Sequence, residues 1–260
     1  MKLQYILLPL LLLFIFSNGS MAQKWKLKRY EGIVGIGTAH YFGDIGGTAD
    51  ETNLFGLKDI EITKTRPSLY LGVRYKIRHN IAVKANFIYG FLSGNDEGSR
   101  NSDRNFAFSS GIIEPSFQVE YSIIPEEHRY RSSAMFNRRG MINNYSKFNI
   151  YLYAGIGGVI ANDKPNDELL NSGRYEADHP KFGLAFPMGV GLKYVLSSNW
   201  SVGGEFGGRF TSTDYLDGYT SQFSKHNDVY YFFNFQAIYR VKTSRRGFPI
   251  LFGSRRTSFL

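Results

Sequence analysis

From Asp228 to Val241 the residues alternate without a break. Val229, Tyr231, Phe233, Phe235, Ala237 and Tyr239 fall on one face, and Tyr230, Phe232, Asn234, Gln236, Ile238 and Arg240 on the other. A period of two belongs to a β-strand, whose successive side chains point to opposite sides of a sheet. Here one face is wholly apolar and the other carries Asn, Gln and Arg. Such a strand needs two different surroundings, and the pattern recurs in about eight segments, as in barrels that meet lipid outside and a polar lumen inside. The predicted fold is all-β: a small closed antiparallel transmembrane β-barrel of about eight strands.

Residues 1–22 read as a cleaved signal peptide. Lys2 gives the positive start, Ile6 to Phe16 an apolar stretch, and Ser20 and Ala22 the small residues that a signal peptidase reads. The stretch is shorter than the roughly 20 residues a spanning helix needs, and Pro9 interrupts it. The expected organisation is a signal peptide over 1–22, a barrel over 23–243 and a basic tail over 244–260. Mean hydropathy is slightly negative, as it is when lumen residues dilute a lipid face. An aromatic content of 16% with 28 glycines suits interfacial girdles and curved sheets. The absence of cysteine excludes disulfides and thiolate metal sites.

The other strands follow the same rule. Over Ser68–Arg78, Leu69, Leu71, Val73, Tyr75 and Ile77 should face lipid, with Tyr70, Arg74 and Lys76 opposite. His79-Asn80 should make a two-residue turn into Ile81, Val83, Ala85, Phe87, Tyr89 and Phe91. The run from Phe106 to Ser122 places Phe106, Phe108 and Ile112 on one face and Ile113, Pro115, Phe117, Val119 and Tyr121 on the next. That slip of phase predicts a β-bulge at Ile112-Ile113. Strands over 148–159, 182–196 and from Trp200 follow, with a second tight turn at Ser198-Asn199. The strand from Tyr30 to Phe42 is so rich in glycine that its facing stays open. Loops 43–66, 92–104, 161–180 and 211–227 are long and should face outward, the tight turns inward to the periplasm. Residues 123–147, about 25 of them, break that rule on the periplasmic side.

An eight-stranded lumen is filled by side chains. Arg74, Lys84, Lys193 and Arg209 are expected to meet Glu114, Glu120 and Glu205 there, with Arg209 holding Glu205, since a buried charge needs a partner. The remaining charge is lopsided, the net being +9. Arg129, Arg131, Arg138 and Arg139 crowd the long periplasmic connection, and Arg245, Arg246, Arg255 and Arg256 the tail. An exported chain does not meet nucleic acid, so lipid phosphates or an acidic protein are the expected counterparts. Gly35-Ile36-Gly37 and Gly155-Ile156-Gly157-Gly158 lack the lysine and the spacing of nucleotide loops, and no cofactor is expected. His40, Tyr41 and Asp44, with Asp214, Asp217 and His226, could gather at the outer mouth as a metal site or a lipid-modifying hydrolase. Turn and loop bracing explains the same residues without chemistry.

Particular strings go further. YFGDIGG (41–47), RPSLYLGVRYKI (66–77), SGNDEGSRNSDRNFAF (93–108), IIEPSFQVEY (112–121), YLYAGIGG (151–158) and PMGVGLKYVLSSNWSVGGEFGGRFTSTDYLDG (187–218) resemble a Bacteroidetes family of outer-membrane barrels typified by PorG of the type IX secretion system. Its most specific parts are Tyr41, Phe42, Gly43, Asp44, Gly46 and Gly47, and Thr213, Asp214, Tyr215, Leu216 and Asp217. The resemblance implies a non-enzymatic outer-membrane component that contacts a periplasmic ring of secretion subunits. A general structural or adhesion barrel acting through its outer loops is the alternative.

Overall fold

The computed structural model describes residues 26, 28–43, 45, 65–97, 102–126, 146–176, 178–219, 227–244 and 248–250. The expected signal peptide, Asp44, Gly46, Gly47, His226 and all eight arginines of the connection and the tail lie outside them. Eight strands form one sheet: β1 (Tyr30–Phe42), β2 (Arg66–Lys76), β3 (Ile81–Asn95), β4 (Ala107–Ile124), β5 (Phe148–Pro165), β6 (Phe182–Val195), β7 (Trp200–Thr211) and β8 (Val229–Val241). Each pairs antiparallel with its neighbours in sequence, and β1 pairs with β8, so the sheet closes on itself. Closure leaves no row of unpaired backbone groups at an edge, which a lipid surrounding could not satisfy.

The two faces separate as the alternation demands. Outward side chains form an apolar belt, with Phe117 72%, Ile36 66% and Phe235 61% exposed. On β1 the open question resolves: Glu31 and Ile33 point inward, Val34 and Ile36 outward. Aromatic pairs gird the end of the barrel that carries the short turns, among them Trp200–Tyr239, Phe148–Tyr194 and Tyr30–Tyr75.

Inside, the lumen has two storeys. Toward the short-turn end it holds charges. Toward the long-loop end it holds an apolar core with Tyr70, Ile88, Leu92, Ile112, Val159, Tyr230 and Phe232. That second storey corrects the reading of β4. There is no bulge at Ile112-Ile113: the register with β3 runs unbroken from Ile81↔Tyr121 to Asn95↔Ala107. Phe106, Phe108 and Ile112 are buried inside, and Ala107, Ser109 and Gly111 take the outer face. The apparent slip marks the height at which the lumen turns apolar and the outer wall turns polar. The irregularity β4 does have lies between Ser122 and Ile124, opposite β5.

Three smaller corrections concern connections. The turn after β2 spans four residues, with Ile77 and Arg78 both donating to the Ile81 carbonyl, and the turn before β7 repeats this with Leu196 and Ser197 donating to Trp200. Strands β3 and β5 run on to Asn95 and Pro165, through positions expected to be loop. A short helix α1 (Asp167–Asn171) follows β5, capped by the Asn166 side chain accepting from the Leu169 N–H. Beyond β8 the chain folds back, Thr243 bridging to Pro249.

Candidate functional site: the charged lumen and the loop rim

The cross-strand register builds the charged storey. Glu31 on β1 lies directly opposite Arg74 on β2 and Arg240 on β8. Its carboxylate is 2.9 Å from Arg74 Nη1, 3.5 Å from Arg240 Nε, 3.2 Å from Lys76 Nζ and 3.1 Å from Lys193 Nζ. Arg74 also holds Glu120, donating from Nη2 at 3.0 Å with Nε 2.6 Å from the second carboxylate oxygen, and a charge-assisted contact of this kind is stronger than a neutral one. Lys84 lies 2.9 Å from Glu120 and pairs with Glu205. Tyr151 ties the layer together, accepting from Arg74 at 3.1 Å and donating to Glu205 at 2.6 Å. Its ring fits because the facing position on β6 is Gly191, where a methyl group would collide with it.

Arg209 does not hold Glu205. It sits 3.5 Å from Glu114, donates to the Gly207 carbonyl and stacks over Phe232, while Tyr230 donates to the same Glu114 carboxylate. All seven lumen residues named from the sequence are buried. Four partners were missing from that set: Glu31, Lys76, Arg240 and Glu126. The last comes from outside the strands. Just past β4, Glu126 turns into the barrel mouth and meets Lys76, Lys193 at 2.8 Å and Arg240 at 3.3 Å. The signal for the missing acids was numerical. Arg74, Lys76, Lys84, Lys193, Arg209 and Arg240 are six inward cations, and Glu114, Glu120 and Glu205 are only three carboxylates.

At the same end Lys28 donates to Ser198 Oγ at 2.7 Å and to Asn199 Oδ1 at 2.9 Å, tying the segment before β1 to the turn before β7. Burial lowers its ammonium to about 8, and Arg240 and Lys242 add repulsion.

At the long-loop end, Tyr41 donates toward two buried carboxylates, Asp217 at 2.9 Å and Asp228 at 2.6 Å. Asp228 also accepts the Leu216 N–H and Asp217 the Tyr219 N–H. These bonds pin the loop between β7 and β8 onto the end of β1. His40 faces elsewhere, toward Thr38 at 3.2 Å and Thr65 at 3.5 Å. His179 Nε2 lies 3.1 Å from Asp163, and its ring stacks on Tyr215. Burial pushes the neighbouring Tyr175 hydroxyl up to about 12, helped by the negative charge of Asp163. Among the described residues no three His, Asp or Glu side chains gather as metal ligands. The motif residues Tyr41, Leu216 and Asp217 thus meet in a loop brace, and Asp228, which the motif did not include, is its centre.

Residues 6–240 match the family described as Domain of unknown function (DUF6089). The chain belongs to that family. No curated protein matches it. Among solved structures it is similar to Escherichia coli Outer Membrane Protein W, at 18% identity over 82% of this chain and 98% of that one, TM-score 0.40. It is also similar to Neisserial surface protein A (9% identity, 81% and 96% coverage, TM-score 0.40). A third is the N-terminal β-barrel domain of Pseudomonas aeruginosa OprF (8%, 82% and 98%, TM-score 0.39). What marks this DUF6089 barrel is the interior, where five carboxylates and six cations from seven of the eight strands and one connection interlock, with β5 adding the Tyr151 hydroxyl.

Proposed function

We propose that this chain is a non-enzymatic outer-membrane barrel that works through its ends and not through its lumen, serving as an assembly component of a type IX secretion machine. The observation that carries this reading is the filled interior within an apolar belt. The belt calls for lipid. The ion pairs below and the apolar core above occupy the space that a channel would need, and a cavity of about 10 Å³ beside Arg74, Glu120 and Tyr151 has room for roughly one water. A barrel of this kind offers partners its loops and turns. Short turns belong on the periplasmic side and long loops outside, which puts Arg78, Lys147 and Lys242, all exposed, at the periplasmic end. Such a surface suits an acidic periplasmic partner bound with strong salt dependence. The string resemblance supplies the specific partner class, the periplasmic ring beneath a secretion channel.

The test combines truncation after Thr243 with charge reversal at Arg129, Arg131, Arg138 and Arg139. Insertion should persist, because all eight strands remain, while co-purification with ring subunits and cargo in the medium should fall. A doubly altered protein that inserts, co-purifies and secretes like the parent would overturn the docking role and turn attention to the outer loops.

A further inference from the structure

We infer that the outer rim carries a binding site for a phosphorylated glycolipid headgroup of the outer leaflet, an inference that rests on the membrane orientation proposed above. A cavity of about 730 Å³ opens on the barrel wall where β3, β4 and β5 leave the apolar belt. Its height is set by register. On β3 the outward residues are apolar through Phe91 and turn polar at Ser93 and Asn95. On β4 they are apolar from Tyr121 to Ile113 and turn polar at Ser109, and on β5 Ile160 is followed by Asn162 and Lys164. Ser93 pairs with Ser109, and Ser109 with Lys164, so three strands cross from apolar to polar at one level. That level is where hydrocarbon gives way to headgroups.

The lining has the chemistry of a phosphate bound to a sugar. Arg66, exposed at the start of β2, reaches over to Ser93 at 3.3 Å and so leans across the cavity. Lys164 is exposed on the opposite wall, without a hydrogen-bond or ion-pair partner among the described residues. Two cations on facing walls suit a phosphate, and the hydroxyls of Ser93 and Ser109 between them suit the hydroxyls of a saccharide. Glu97 also lines the cavity, but it is drawn aside by the Asn95 amide at 3.3 Å and leaves a net positive charge. Below Ser109 the outer face of β4 carries Gly111. A side chain there would meet only the Phe91 ring, at 3.9 Å, so the wall beneath the cavity is bare. An acyl chain descending from the headgroup can lie in that strip against Phe91. A free phosphate ion would gain nothing from it, which is why the site is assigned to a lipid.

The probe is bis-phosphorylated lipid A, titrated against the refolded mature chain in a zwitterionic detergent, with retention read by native mass spectrometry. The parent should bind one molecule in preference to dephosphorylated lipid A. R66Q/K164Q should bind about tenfold more weakly, R66K/K164R should bind like the parent, and E97Q should bind more tightly. Inorganic phosphate at millimolar concentration should not displace the lipid. Equal binding by parent and R66Q/K164Q, equal binding of the dephosphorylated lipid, or full displacement by phosphate would each overturn the site. Unboiled and boiled samples of every variant are compared on detergent gels. Absence of a mobility shift in the parent would count against the membrane-barrel reading itself, so the two failures are distinguishable.

Discussion

The value of a single lumen charge depends on how many partners lose it. Arg74 contacts Glu31, Glu120 and Glu205, and all four side chains are buried. Arg74→Met therefore strands carboxylates in a dry interior, and breaking a buried pair from one side costs about 3–5 kcal/mol. Unfolding by urea in detergent should show that loss, and Arg74→Met/Glu120→Leu should recover part of it. Outside the barrel the argument runs the other way. Phe87 faces lipid, so Phe87→Arg introduces an unpartnered guanidinium at a cost of about 2–4 kcal/mol near the bilayer midplane. If Phe87→Arg proved neutral in the same unfolding assay, inside and outside would be exchanged. Glu205→Gln should be felt at Lys84 and not at Arg209. A double-mutant cycle with Lys84→Met should show coupling of about 0.5–3 kcal/mol, and one with Arg209→Met close to none. The inward cations were legible from alternation alone, because charge on one face of a half-apolar strand has nowhere else to go. Which acid each one meets was not, since partners come from strands far apart in sequence and spacing along β7 says nothing about Glu114 on β4.

Strands that cross two solvents advertise their facing, which is why β2, β3, β7 and β8 could be read directly. β4 could not, because its inner face changes from Glu120, Gln118 and Glu114 to Ile112 and Phe108 as the lumen changes character. Alternation reports a difference between faces, and when both faces change together it reports a false slip. Connections are harder still. Glu126 sits in a segment whose composition reads as basic, yet it is the fifth lumen carboxylate and fixes where the chain leaves the barrel. Glu126→Gln should leave the barrel inserted while speeding proteolysis within 127–145 from the periplasmic side, an effect readable by mass mapping of the cut sites. Lys28 gives a pH-dependent counterpart. Its folded-state value, about 8, lies below the usual 10.5 of a lysine, so between those values the unfolded chain binds more protons and stability rises with pH. The difference in unfolding midpoint between the parent and Lys28→Met should shift in the parent's favour from pH 8 toward 10.5, and a constant difference would show that Lys28 does not titrate as described.

At the scale of the molecule, the filled lumen predicts a closed barrel. Reconstituted protein in a planar bilayer should give no steady conductance above background at moderate voltage, and stable open steps would contradict the packing. The architecture was legible because a half-apolar, half-polar strand repeated eight times has few solutions. The rim was not, because its cavity is assembled from the tips of β2 to β5, at positions that, those of β4 apart, read individually as loop. The interior also constrains how the barrel can be made. Arg74 and Lys84 face each other across the β2–β3 hairpin, and like charges directly opposite weaken a strand pair. With Lys76 that hairpin carries three cations inward and no acid. Its neutralising carboxylates arrive from β1, β4, β7 and the segment after β4. That hairpin could not be left alone in lipid while the next one is added. Insertion and closure of this chain should therefore be one event, completed with its charges already facing each other, and any insertion factor that serves it must shelter the inner face until β8 has met β1.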